Sequence, residues 1–221
     1  MITKYLRVFL SLITWAIALE RVSASDPFDG KSLDAWSTLD NMPAPKSWEI
    51  VDGQIHLRKD GEKAGHIVTK EEFRDFSLEF EWKIAKGGNS GIKYRVRTYG
   101  NRTLGCEYQI YDDLKGKKVD PKNSAGALYD LYEPSPTKQL KADGEWNSGK
   151  IVVRGKQIEH WLNGEQVVSA VIGDDEWNKR VGESKFHEYT GFCEQPLGKI
   201  MLTDHGSEVW FRNVVFKSKV E

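Results

Sequence analysis

Phe76-Ser-Leu-Glu-Phe-Glu-Trp-Lys-Ile84 alternates without a break, placing Phe76, Leu78, Phe80, Trp82 and Ile84 on one side and Ser77, Glu79, Glu81 and Lys83 on the other. Successive side chains of a strand point to opposite faces, so this stretch reads as a strand with one dry and one wet face. Outward from it the pattern repeats. Short apolar or alternating runs occur at Trp48–Val51, Gln54–Leu57, His66–Thr69, Gly91–Arg97, Glu107–Tyr111 and Gly126–Leu131. Others follow at Asn147–Arg154, Gln157–Leu162, Glu165–Val171, Gly198–Asp204 and Val209–Lys217. Asp52-Gly53, Arg154-Gly155 and Asn163-Gly164 stand between such runs, where tight turns need positive φ. About a dozen strands cannot bury one face of a single sheet, so the chain is expected to be all-β, a two-sheet sandwich. At most one short helix, over Asp174–Arg180, is expected. The polar stretches Leu39–Lys46, Asp112–Ser124 and Pro134–Glu145 are too long for tight turns and read as loops, where binding groups concentrate.

The N-terminus carries Lys4 and Arg7, an apolar run from Val8 to Leu19, and Val22-Ser-Ala24 with small residues at the positions a signal peptidase reads. The run is too short to cross ~30 Å of hydrocarbon as a helix. Residues 1–24 are therefore expected to be a signal peptide and 25–221 a single exported domain, periplasmic or extracellular and free of the membrane once the leader is removed. A formal net charge of −1 with interspersed signs gives no basic face for nucleic acid or an anionic bilayer. Only Cys106 and Cys193 are present. An oxidising compartment allows one disulfide between them, and the sequence leaves that pairing open.

Glu107 and Gln109 lie two apart and share a face of their strand, while Asp112 has the opposite parity unless a bulge after Gln109 returns it. Such a face is either an ordinary wet one or a site for something polar. Lys93 and Arg95 alternate with Ile92, Tyr94 and Val96 and share another polar face, suited to donating hydrogen bonds to a polar ligand. His205, in Asp204-His-Gly206, is the first acid–base candidate: imidazole titrates near neutrality and Asp204 is placed to orient it. Glu107 is the second. His160 is a further substrate-contact candidate, with packing before the Asn163-Gly164 turn as its structural reading. Tyr129 is a candidate aromatic contact for a bound ligand, with packing as its structural reading. Glu107, Asp112, Asp204 and His205 also form a donor set able to hold a divalent cation. No His-Glu-x-x-His, Cys-x-x-Cys, calcium loop or phosphate cradle is present to make a metal or cofactor diagnostic.

Several segments together resemble the 3-keto-disaccharide hydrolase domain family. They are Phe28-Asp-Gly-Lys-Ser-Leu-Asp-Ala-Trp36, Trp48-Glu-Ile-Val-Asp-Gly-Gln-Ile55, Asn89-Ser-Gly-Ile-Lys-Tyr-Arg95 and Glu107-Tyr-Gln-Ile-Tyr-Asp112. Gly126-Ala-Leu-Tyr-Asp130, Glu145-Trp-Asn147, His160-Trp-Leu-Asn-Gly-Glu165, Gly198-Lys-Ile-Met-Leu-Thr-Asp-His-Gly206 and Phe211-Arg-Asn213 continue the match in order. The resemblance implies a concanavalin A-like jelly roll. It also implies a glycoside-cleaving reaction on 3-keto sugars, in which C2 deprotonation is followed by elimination and addition of water. Related sandwich glycosidases place an acid where Gln109 stands, and Thr203 replaces the Gln that precedes Asp-His in the family pattern. A non-catalytic carbohydrate-binding module and a conventional endo-glucanase remain the alternatives.

Overall fold

The computed structural model describes residues 27–59, 64–113, 118–142 and 144–218. The expected signal peptide over 1–24 lies outside them. Among the described residues no helix is long and apolar enough to cross a membrane.

Among the described residues, twelve strands and one α-helix succeed each other as β1 (Trp36–Ser37), β2 (Trp48–Val51), β3 (Gln54–Leu57), β4 (Ile67–Thr69), β5 (Phe76–Ile84), β6 (Asn89–Tyr99), β7 (Arg102–Tyr111), β8 (Asn147–Arg154), β9 (Gln157–Leu162), β10 (Glu165–Val171), α1 (Asp175–Glu183), β11 (Lys199–Leu202) and β12 (Val209–Lys217). They form a five-stranded sheet ordered β1-β4-β11-β6-β7 and a seven-stranded sheet ordered β10-β9-β8-β5-β12-β3-β2. Every pairing is antiparallel. The expected two-sheet jelly-roll sandwich is the fold.

β5 sits at the middle of the larger sheet and turns Phe76, Leu78, Phe80, Trp82 and Ile84 into the core, as its alternation requires. Ile92, Tyr94, Cys106, Tyr108 and Ile110 meet them from β6 and β7. Phe80 packs edge-on against Tyr108 at 5.3 Å between centroids, and Phe76 against Tyr94 at 6.0 Å. Burying a side chain of this size contributes roughly 1.5–3 kcal/mol, so this layer dominates the packing energy. Asp52-Gly53 and Asn163-Gly164 both have positive φ at each residue, matching the right-handed twist of the strands they join.

Two local readings are corrected. Gly126–Leu131 is not a strand. Gly126 and Asp130 take φ of 82° and 64°, which breaks extended backbone. The segment instead docks on β7 through Gln109 N to Ala127 O (3.1 Å), Gly126 N to Gln109 O (2.9 Å) and Tyr129 N to Glu107 O (3.0 Å). The helix starts where expected, the Asp174 carboxylate capping Trp177 N at 2.7 Å, but runs on to Glu183.

The face of β6 changes partway along. Its register with β7 shifts between Tyr94 and Arg97, with Arg95 at φ 52°. This bulge keeps Arg95 off the outer face that carries Lys93 and sends Val96 there, beside Val68 and Met201. Arg95 is buried, and its guanidinium donates to Cys193 O at 2.9 Å and to Gly155 O in the β8–β9 turn of the opposite sheet. It laces the sandwich and contacts no open site, contrary to the expected role.

His160 also belongs to the core. It is fully buried, Nδ1 donates to Gly126 O at 3.2 Å, and Nε2 accepts from Tyr94 Oη at 2.9 Å. It is therefore not a substrate contact. Burial pushes its pKa down to about 4, outweighing the hydrogen bonds to the backbone at Gly126 and Ala127. Because the folded pKa lies below the ordinary 6.5, the neutral ring favours the native state above pH 6.5. That stabilisation fades as pH falls through about 4, a loss on the order of 3 kcal/mol. Urea midpoints measured at pH 7 and pH 4.5 should show this fall in the native protein and a smaller one in His160→Gln. The variant itself should be less stable at pH 7 by about 1–3 kcal/mol.

Candidate active site on the five-stranded sheet

The outer face of the five-stranded sheet holds a cavity of about 570 Å³. Register places Lys93 between Met201 of β11 and Glu107 of β7, and Gly91 beside Gln109. The Glu107 carboxylate is buried, with Lys93 Nζ 3.7 Å from Oε2 and His205 Nε2 3.9 Å from Oε1. Thr203 Oγ1 donates to Gly91 O at 3.2 Å and approaches Glu107 Oε1 at 3.4 Å. Gly91 leaves the Glu107 carboxylate its place: a Cβ there would lie 2.3 Å from Glu107 Oε1, so the side chain would have to move. A glycine inside a strand commonly marks such a close approach.

Burial alone would raise the Glu107 pKa. Lys93, followed by the hydrogen bond and charge of His205 and the charge of Lys185, outweighs it and holds the carboxyl below its ordinary value. Glu107 is thus an anion at neutral pH. His66 lies edge-on to His205, their rings 5.7 Å apart. Its Nδ1 accepts from Asp204 N at 2.9 Å, which puts the proton of the neutral ring on Nε2. Partial burial, then the charges of Lys93 and His205, lower its pKa to about 4, so the ring is a neutral donor at pH 7. Gln109 is anchored through Nε2 to Asn89 Oδ1 (3.2 Å) and Asn123 O (3.1 Å). Tyr129, brought alongside by its bond to Glu107 O, lies under the Lys185 ammonium at 3.9 Å.

Of the residues singled out in the sequence, Lys93, Glu107, Gln109, Tyr129 and His205 line this cavity together. Asp112 does not. No bulge follows Gln109; pairing with β6 runs evenly through Ile110 and Tyr111, so Asp112 keeps its parity. It accepts from Gly87 N at 2.5 Å and lines a separate cleft of about 30 Å³ with Trp82 and Asn147. Asp204 is next to the site without orienting His205. Its carboxylate accepts from Gly65 N (2.9 Å) and Gly206 N (2.7 Å), and the acid beside His205 is Glu107. The quartet expected to hold a cation therefore does not assemble. Among the described residues no three His, Cys, Asp or Glu side chains group as metal ligands.

His66, Lys185 and Asn89 also line the cavity and were not singled out in the sequence. His66 lies 139 positions from His205, so only the pairing of β4 with β11 joins them. Gly91, an interior glycine opposite a polar strand, was the one local signal available.

A jelly-roll sandwich that sinks a carboxylate, two imidazoles and an ammonium group into the outer face of one sheet is a sandwich protein with an acid–base site. The chain belongs to the 3-keto-alpha-glucoside-1,2-lyase-like domain family, whose model matches residues 23–217. It is 34% identical over 224 residues to a 3-keto-disaccharide hydrolase of Bacteroides thetaiotaomicron, covering 86% of this chain and 76% of that protein. Two solved structures of candidate glycosyl hydrolases from Parabacteroides distasonis share the fold. One has TM-score 0.77 and 29% identity over 88% of this chain and 93% of its own; the other has 0.70 and 27% over 88% and 98%.

Two outcomes test this geometry. Gly91→Ala should displace the Glu107 carboxylate at a stability cost of about 1–3 kcal/mol, seen as a lower urea midpoint with retained β-sheet circular dichroism. In Lys93→Met the His66 titration, followed by imidazole ¹⁵N shifts, should move upward from about 4, because a charge that lowers it is gone.

Proposed function

We propose that this protein breaks the glycosidic bond of 3-keto-glycosides by elimination across C1 and C2, followed by addition of water. It is a carbohydrate-active hydrolase of its family; the single observation that carries the finer reading is that Glu107 is the one carboxylate among the described residues lining the cavity. Displacement at an unmodified glycoside normally uses two carboxyl groups ~5–9.5 Å apart. Among the described residues, Gln109 and the separately placed Asp112 leave that second place unfilled. A C3 ketone removes the need for it, because the carbonyl acidifies the neighbouring C2 hydrogen.

His205 takes the C2 proton and Glu107 offsets the charge of the resulting imidazolium. The electron pair from the C2–H bond moves into the C3 carbonyl as an enolate, toward which Lys93 and the Nε2–H of His66 supply donors. When the carbonyl re-forms, a C1–C2 double bond forms, the C1–O bond breaks, and the leaving oxygen receives the proton held by His205. Water then adds its oxygen at C1 and a proton at C2, giving the free 3-keto sugar. The leader supports a site of action outside the cytoplasm, which N-terminal sequencing of the exported protein would establish by cleavage after Ala24.

Incubation with a 3-keto-glucoside in D₂O should release the aglycone and leave deuterium at C2 of the sugar by NMR. His205→Ala should lower kcat about 10³-fold and Glu107→Gln about 10²-fold. The profile of kcat/KM should keep Glu107 ionised to a pH below the ordinary carboxylate range, with activity falling on the acid side. Release without C2 deuterium, or equal turnover of the unoxidised glucoside, would sink the mechanism.

A further inference from the structure

The cavity holds more positive charge than the elimination uses. Two lysines and an arginine, Lys93, Lys185 and Arg102, line it, against the single carboxylate of Glu107 among the described lining residues. Glu107 is matched by Lys93 at 3.7 Å. Neither Arg102 nor Lys185 forms an ion pair among the described residues; the Lys185 ammonium rests on the Tyr129 ring instead. Both side chains are exposed toward whatever enters.

Arg102 stands apart from the chemistry, whereas Lys185 rests on the ring of Tyr129, whose backbone N–H is bonded to Glu107 O. Arg102 opens β7, five residues before Glu107, which is about 16 Å along an extended strand. That is beyond the reach of one sugar ring seated at Glu107 and His205. Between them the cavity floor includes Gly105, which presents no side chain. The segment bearing Lys185 is tied to the same end: Phe186 stacks on Phe192 at 4.2 Å, and Phe192 packs on Tyr99, the register partner of Arg102. A low-dielectric cleft lined by one sign of charge concentrates ligands of the other sign, and a guanidinium fork matches carboxylate or sulfate geometry.

We propose that the glycoside bound here carries an anionic group on its leaving-group half, read by Arg102 and Lys185. The proposal rests on the keto-glycoside reading for its reaction, and on the charge and placement of these two residues for its specificity.

The test uses three 3-keto-glucosides of matched phenols, bearing 4-(carboxymethyl), 4-(2-sulfooxyethyl) or neutral 4-(2-hydroxyethyl) substituents. In each a methylene insulates the ring, so leaving ability is similar. The native protein should show kcat/KM about tenfold higher for at least one anionic substrate, with the margin shrinking as salt screens it. The ranking of carboxylate against sulfate identifies which anion is read. Arg102→Gln with Lys185→Gln should bring the ratio of anionic to neutral substrate toward one; each single variant should lower it several-fold, and Arg102→Lys with Lys185→Arg should preserve it. Equal or better turnover of the neutral substrate by the native protein, or a preference that survives the double variant, overturns the proposal and leaves the keto-sugar reading intact. If no keto-glucoside is turned over, the keto-sugar reading fails, and calorimetry with the three unoxidised glucosides decides the charge question. Anionic ligands binding about tenfold tighter would uphold it, and equal affinities would overturn it.

Discussion

Glu107 is a buried negative charge, and the rest of the site is arranged around that constraint. An isolated carboxylate in a protein interior costs many kcal/mol unless charges and donors compensate it. Lys93 comes from the neighbouring strand, and His205 and Thr203 from the segment following β11. Each lies where antiparallel register puts it, so the electrostatic compensation depends on strands that are distant in sequence being paired in one alignment. The bulge in β6 belongs to the same requirement. It leaves Lys93 on the outer face while turning the next cation, Arg95, toward the carbonyls of Cys193 and Gly155.

The two histidines near neutral chemistry differ because their surroundings differ. His66 is held neutral by burial and by two nearby positive groups, with its tautomer set by one backbone N–H. His205 faces a carboxylate. A pair of similar rings thereby comes to stand in two different electrostatic settings. Asp204 serves both from the backbone side, its amide fixing the His66 ring and its carboxylate closing the turn through Gly206.

The strand alternation of Phe76–Ile84 and the Asp-Gly and Asn-Gly turns made the sandwich legible, because period-two burial and positive φ are local properties. Glu107, Gln109 and Lys93 were legible for the same reason, each lying on an ordinary stretch of strand. Arg95 was misread because one bulge reverses parity, and nothing in Tyr-Arg-Val announces it. Asp112 was misread because the bulge after Gln109 that would have returned it to the Glu107 face does not form. His160 shows that alternation indicates which face a side chain takes, not whether that face is wet. His66 was invisible because its significance comes from β4 lying beside β11, a long-range pairing that local pattern does not encode.

Gly91 and Glu107 occupy the volume of one side chain between them. Their evolution is therefore coupled. A Cβ at 91 would push the Glu107 carboxylate from its present position, so the acid keeps its place only while the glycine is kept. A lineage that had replaced both would have to restore the glycine before an acid at 107 could regain this position. Steric exclusion on a neighbouring strand thus ties the position of the acid to the glycine, and the pair is easier to lose than to rebuild.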